Sequence, residues 1–123
     1  GVPYGVPVNY FYVPDDNAIY FHCAIKGRKI DNIITNNNVS FVVVGKEMII
    51  EDRFSTQYES VIVTGTASLI TDNEEKRSKL VQLCEELTPA AEGRDEFILK
   101  YLPSTTIVKI TINDISGKKN QAN

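Results

Sequence analysis

One stretch, Ile19 to Ile34, most constrains the fold, because a β-rich run passes there through a basic turn into a short helix. The turn places Arg28 and Lys29 where the helix starts, and only Asp31 supplies a nearby acid. Helix N-termini favour anions by about 0.3–1 kcal/mol per exposed side chain, so cations are locally unfavourable there. Spacing alone favours a solvated basic turn; the alternative is a site where an external anion such as phosphate binds.

Length and charge limit the classes of protein to which the chain can belong. It has 123 residues and a formal net charge of −3, which predicts one domain and argues against a nucleic-acid surface. No apolar run approaches the roughly 20 residues that cross a bilayer. Two cysteines and one histidine predict no metal site, and reduced thiols are typical of a cytoplasmic protein.

Most of the remaining chain has the alternation typical of strands. Tyr4 to Val13 alternates, although Pro7 cannot donate a hydrogen bond to a ladder. Val39 to Val44 is apolar at nearly every position, which predicts a strand covered on both faces. In the long strand predicted for Tyr58 to Thr71, Gly65 indicates a bulge or a close backbone approach.

Helices and turns separate these strands. Pro14 to Asn17 is typical of a hairpin turn, and Asp72 begins a capping box for a helix that Thr88-Pro89 ends. A further helix is expected from about Asp95 to Leu102. The order of elements predicts a mainly β member of the α+β class, an antiparallel barrel with a few short flanking helices. Residues 117–123 are expected to form a flexible C-terminal tail.

Two polar residues in the predicted strands, Asn9 and His22, each have two interpretations. Asn9 lies among apolar neighbours and is either a paired core amide or a ligand contact. His22 is the single histidine. A lone histidine in a strand more often has a structural role than a catalytic one, and the sequence offers no catalytic partner for it. Cys23 is most simply a small buried hydrophobe. No residue is assigned a catalytic role.

Several motifs together resemble the flavin-binding split-barrel family, which includes pyridoxamine 5′-phosphate oxidase and the nitroimidazole-resistance proteins. The motifs are Pro3-Tyr4 with Pro7 to Tyr10, Ile19 to Ala24, Gly27-Arg28-Lys29, Tyr58 to Val61 with Gly65, and Ile115 to Lys118. The nitroimidazole-resistance branch is the more similar of the two. The resemblance implies an FMN-binding split barrel over residues 1–116, in which the family's usual first strand is missing or truncated.

The same resemblance implies a homodimer with FMN at the subunit interface. Arg28 and Lys29, with Gly27, match the phosphate-binding turn, and His22 and Cys23 match a strand end that reaches the flavin. The remaining cofactor-binding candidates are Asn9, Tyr58 and Ser60, the last two from the partner subunit in some arrangements.

The resemblance implies an FMN-dependent oxidoreductase related to the nitroimidazole-resistance proteins, which reduces nitro compounds. The oxidase's C-terminal Trp and Arg are missing, so pyridoxamine phosphate is not the expected substrate. Two alternatives stay open: a non-catalytic flavin- or haem-binding protein of the same fold, and an interaction domain with a vestigial cleft.

Overall fold

A computed structural model describes residues 2–51 and 55–120, except for the side chains of residues 46–50 and 55–58. The strands are β1 (Phe11–Val13), β2 (Ala18–Ala24), β3 (Asn38–Ile50), β4 (Ser55–Ile70) and β5 (Thr105–Asn120). The α-helices in this part of the chain are α1 (Arg28–Thr35), α2 (Asn73–Leu87) and α3 (Arg94–Tyr101). The strands form one antiparallel sheet in the order β1-β2-β5-β4-β3. The predicted mainly β, antiparallel architecture is therefore confirmed.

The hairpin between β1 and β2 follows from its turn residues. Pro14 begins a single 3-10 turn, and Asn17 adopts the left-handed conformation (φ 49°) that asparagine tolerates. The Asn17 N–H donates to the carbonyl oxygen of Pro14 at 3.0 Å, which closes the turn. The hydroxyl of Tyr20 donates to Asp16 at 2.6 Å and fixes the turn against β2. The predicted turn is confirmed.

The first strand is much shorter than its alternation predicted. Only Phe11–Val13 pair with β2, and residues 2–10 have no regular secondary structure. Pro3 and Pro7 have no N–H to donate to a ladder, which removes two of the hydrogen bonds that a longer strand would need. The prediction of a strand from Tyr4 to Val13 was therefore wrong for its first seven residues.

Helix α2 begins where its capping residue predicted. The Asp72 carboxylate accepts a hydrogen bond from the Glu75 N–H at 3.0 Å, which satisfies one of the helix's free amides. Leu80 and Leu83 then face the sheet and are buried. Lys76 is also buried, and its ammonium donates to the carbonyl oxygens of Leu102 and Thr105. This lysine joins α2 to the segment between α3 and β5.

The sheet separates two apolar clusters. Alternate residues of β2 belong to opposite faces, so Tyr20 packs in one cluster and Phe21 in the other. Helices α2 and α3 cover the first face, and α1 covers the second. The buried members of the second cluster, which lies next to the candidate site, are Ile19, Phe21, Ile30, Ile33, Val63, Ala67, Val108 and Ile110.

The apolar strand β3 is not covered on both faces within one chain, which corrects the prediction for Val39 to Val44. Val42 and Val44 are 57% and 56% exposed. Ile62 pairs with Val42 across β3 and β4 and is exposed as well. The reason is geometric, since the buried cluster under α2 and α3 contains no residue of β3. We call Val42, Val44 and Ile62 the apolar sheet patch.

At the C-terminal end the sheet continues into the predicted tail. Strand β5 runs to Asn120, and its last five residues pair with Tyr58 to Ile62 of β4. The backbone ladder needs no apolar side chains, so the polar composition of this segment did not reveal its strand. The predicted tail from 117 to 123 is thus corrected for residues 117–120, and its last three residues lie outside the described residues.

In the described ranges 2–51 and 55–120, every helix is too short or too polar to pass through a bilayer.

Candidate functional site

The candidate site lies where β2 ends and α1 begins. Only three residues separate the two elements, so the end of the strand and the first turn of the helix are close together. Gly27 precedes the helix with φ 149° and ψ 172°, a conformation that is essentially restricted to glycine. The turn thereby places Arg28 and Lys29 in the first turn of α1, next to His22 and Cys23 at the end of β2. The predicted association of the basic turn with the strand end is therefore observed.

The first turn of α1 offers backbone donors as well as cations. Gly27 has no side chain with which to cap the helix. The N–H groups of Arg28, Lys29 and Ile30 precede the first intrahelical bond, which runs from Asp31 N to Gly27 O at 3.1 Å. Free amides, the positive end of the helix dipole and two cationic side chains all favour an anion here.

The positive charge of Lys29 affects the titration of the two residues at the end of β2, His22 and Cys23. Its side chain is half-buried, with Nζ 5.5 Å from the centre of the Phe21 ring. Partial desolvation by neighbouring groups lowers the pKa of His22, although the residue is exposed, and the Lys29 ammonium lowers it further. Burial raises the pKa of the Cys23 thiol, while the same ammonium opposes that increase. The imidazole is therefore mainly neutral at neutral pH, and the thiol is mainly protonated.

His22 and Cys23 occupy opposite faces of the sheet. His22 pairs with Ile107 and is exposed, whereas Cys23 pairs with Thr106 and is half-buried beside the second apolar cluster. Consecutive strand residues point in opposite directions, so the two side chains cannot approach one ligand from the same side. One of them would have to contribute through its backbone.

Arg28 is exposed, and its guanidinium lies over an aromatic ring from the irregular N-terminal segment. Its guanidinium carbon lies 4.2 Å from the centre of the Tyr4 ring. Among the residues that the structure describes, Arg28 makes no ion pair. Its N–H groups are therefore available to an anion. No sequence pattern indicated this contact, because it depends on the path of a segment without regular structure.

Asn9 lies in the same irregular segment and is exposed. This excludes the paired core amide that was one of its two interpretations. The strand expected to carry Asn9 does not form, so its contribution to a ligand site stays a prediction.

Ser60 and Tyr58 lie at the far end of the sheet from Arg28. His22, Ile107 and Ile70 stand in one row across β2, β5 and β4. Ser60 is ten residues before Ile70 on β4, which is about 33 Å along an extended strand. The Tyr58 side chain lies outside the described residues. Within one chain, the structure does not bring this pair to Arg28 and Lys29.

A cavity of about 890 Å³ opens beside the basic turn. Residues 2–8, one side of α1 and the start of β3 surround it, and Phe21, Val108 and Ile110 form its floor. Lys29, Asn32 and Asn36 supply polar groups at its wall. In the part of the chain that the structure describes, no group of three or more His, Cys, Asp or Glu residues could hold a metal ion.

Comparisons with known proteins agree with this architecture. The sequence profile of a family described as pyridoxamine 5′-phosphate oxidase matches residues 1–119. No curated protein matches the chain.

Solved structures with the same fold include a candidate 5-nitroimidazole antibiotic resistance protein from Bacteroides thetaiotaomicron, which is 25% identical with a TM-score of 0.74. The alignment covers 95% of this chain and 69% of that one. The flavocytochrome Anf3 from Azotobacter vinelandii is 22% identical with a TM-score of 0.78, over 99% of this chain and 58% of that one. A FAD-binding protein from Mesorhizobium loti is 21% identical with a TM-score of 0.69, over 98% of this chain and 77% of that one.

Proposed function

Because this chain belongs to the pyridoxamine 5′-phosphate oxidase family, we propose that it binds FMN and serves as a flavin-dependent oxidoreductase. One observation carries the proposal: the uncapped start of α1 presents free amides together with Arg28 and Lys29. These groups fit a phosphate, which is the anionic part of FMN. A bound flavin would supply the electron transfer, and the protein would bind and orient it.

The residues have distinct parts in this proposal. Arg28 and Lys29 hold the phosphate, and the Gly27 turn lets the backbone approach it closely. Cys23 shares the sheet face of Phe21 and the cavity floor, whereas the His22 side chain points to the opposite face, so His22 would contribute through its backbone. The nitroimidazole-resistance protein among its structural neighbours supports nitro compounds as the substrate class. No described residue is proposed as a general acid or base.

The proposal includes a homodimer whose two flavin sites each combine residues of both chains. Ser60 lies ten residues along β4, about 33 Å of extended strand, from the row of His22 that leads into the basic turn, which is too far for one flavin to contact both within a chain. A second copy brings its own Ser60 and Tyr58 to the first copy's basic turn. The apolar sheet patch provides a surface that such an association would bury. A cytoplasmic location is part of the proposal, and the free thiols of Cys23 and Cys84 support it.

The absorption spectrum of the purified protein tests the cofactor directly. We expect the visible absorption bands of a flavin. Mass spectrometry of the molecule released on denaturation should identify it as FMN. A strong Soret band would instead indicate haem, for which His22 is the single histidine in the chain. A colourless protein that takes up no added flavin would contradict the proposal and favour an interaction domain.

Removal of both cations tests the phosphate site. Replacing Arg28 and Lys29 with Ala should weaken FMN binding at least about 100-fold, since each charge-assisted hydrogen bond contributes about 1.5–3 kcal/mol. Titration of flavin fluorescence measures the affinity. The matched control replaces Arg77 and Lys100 with Ala, which removes the same charge from α2 and α3. Equal FMN affinity in the wild type and the Arg28/Lys29 variant would contradict the assignment.

A further inference from the structure

Tyr4 and Arg28 form a contact that neither the sequence nor the family comparison assigns. The guanidinium lies over the ring at 4.2 Å from its centre, and Tyr4 itself is 45% exposed. Arg28 has no carboxylate partner within the described ranges, and the Tyr4 ring is the side chain over which its guanidinium lies. The contact therefore determines where this long side chain rests.

A guanidinium that lies over an aromatic ring keeps its hydrogen-bonding capacity. An aromatic ring contacts the flat face of the group, whereas its five N–H donors point outward in the plane. A phosphate can then accept two parallel hydrogen bonds at the edge while the face stays on the ring. A solvated arginine without such support loses rotamer freedom when it binds, and that loss weakens binding.

We propose that Tyr4 is a positioning residue, which holds the Arg28 guanidinium in place for the phosphate group of the bound flavin. Tyr4 acts through Arg28 and does not itself touch the phosphate. The inference rests on the proposed function, since it assigns a role within the same anion site. It also explains how a segment without regular structure takes part in the site.

Two substitutions at Tyr4 separate the ring from the hydroxyl. Tyr4→Leu removes the aromatic face, whereas Tyr4→Phe keeps it. We expect Tyr4→Leu to weaken FMN binding about two- to five-fold, the range of an exposed cation–π contact, and Tyr4→Phe to retain wild-type affinity. Riboflavin lacks the phosphate, so its affinity should be the same in all three proteins.

The role through Arg28 is tested in a second background. In protein that already carries Arg28→Ala, Tyr4→Leu should have no further effect on FMN affinity. Tyr101→Leu is the matched control, because it removes an exposed ring that contacts a different cation, Lys100, on α3. It should leave FMN affinity unchanged. The melting temperature of each flavin-free variant identifies any effect that arises from lost stability.

Three outcomes of the flavin titrations would overturn the inference: wild-type FMN affinity in Tyr4→Leu, an equal loss of FMN and riboflavin affinity, or failure of Tyr4→Phe to retain FMN affinity. The same proteins are titrated with inorganic phosphate while the Arg28 Nε–H resonance is followed by NMR. We expect the resonance to shift less, or at higher phosphate, in Tyr4→Leu. If the wild type binds no flavin, the proposed function fails, and the phosphate titration alone then decides the role of Tyr4. An unchanged titration in Tyr4→Leu would overturn it.

Discussion

At Gly65 the backbones of β4 and β5 come too close for any side chain. A Cβ atom there would overlap the carbonyl oxygen of Thr111 and lie 2.7 Å from Cγ2 of Ile110. The pairing between β4 and β5 also shifts register between Thr64 and Gly65. The bulge or close approach predicted from this glycine is therefore confirmed.

We expect Gly65→Ala to lower the free energy of unfolding by about 1–3 kcal/mol, because a backbone atom must move to admit the methyl group. Urea denaturation measures this change. Gly117→Ala is a matched control on β5, since the closest atom to its Cβ is the Ser60 carbonyl oxygen at 3.8 Å, an ordinary contact. Similar free energies of unfolding for the two variants would contradict this prediction, because they would show that β4 and β5 can move apart at Gly65 without loss of stability.

His22 should make stability depend on pH in a defined direction. The folded protein lowers the pKa of His22 below its ordinary value of 6.5, through partial desolvation of the imidazole and the Lys29 charge. The unfolded chain therefore binds the proton more readily than the folded one. The contribution of neutral His22 is fully present above about pH 6.5, and it is lost as pH falls toward the lower pKa of the folded state.

His22→Gln should remove this part of the pH dependence. We expect the wild type to lose more stability than the variant between about pH 7.5 and about pH 5.5. Urea unfolding at both pH values measures the difference in flavin-free protein. Parallel losses in the two proteins would contradict the assigned direction of the pKa shift.

Among the helices, strands and turns, the sequence predicted those features that depend on contacts between residues close together in the chain. The hairpin turn and the start of α2 were predictable because Asn17 and Asp72 make their decisive hydrogen bonds within a few residues. The lengths of β1 and β5 were not predictable, since they depend on which distant strand supplies a hydrogen-bonding partner. Likewise, the position of Arg28 and Lys29 at the start of α1 was predictable from the sequence, whereas their assignment to a phosphate came from the family resemblance and stays a prediction. The Tyr4 contact and the distant position of Ser60 depend on the tertiary path of the chain.

Lys76 is a buried residue whose role no sequence pattern indicated. Its ammonium donates to the carbonyl oxygens of Leu102 and Thr105 at 3.1 and 2.8 Å. Lys76→Met keeps the length of the side chain but leaves both oxygens without this donor. We expect the free energy of unfolding to fall by about 1.5–3 kcal/mol, the range for hydrogen bonds to charged groups.

Chemical denaturation of Lys76→Met and Arg77→Met provides the comparison. Arg77 is the next residue of α2 and is exposed, so its replacement should change stability by less than about 0.5 kcal/mol. If Lys76→Met is as stable as the wild type, burial of the methionine side chain offsets the loss of the two hydrogen bonds.

For the whole molecule, the association of two copies is the decisive question. Placing a charge within the apolar sheet patch should prevent burial of this surface, so Val42→Glu should shift the protein from dimer to monomer. Light scattering at micromolar concentration measures the mass. Leu99→Glu places the same charge at an apolar residue of α3 that is 69% exposed, and it should leave the mass unchanged.

Bound flavin should decrease together with the dimer in Val42→Glu, since each proposed site needs both chains. A monomeric wild type with flavin bound would contradict this proposal. A dimeric Val42→Glu would place the contact on a different surface.

The separation of the basic turn from Ser60 along the sheet also determines how defective chains complement one another. One chain carries Ala at positions 28 and 29, and a second carries Ala at positions 58 and 60. In a mixed dimer, one site contains both sets of substitutions, and the other site keeps all of its native binding residues. Random pairing of equal amounts would restore about a quarter of all sites, although neither variant alone has an intact one. Sites built within single chains would show no such recovery.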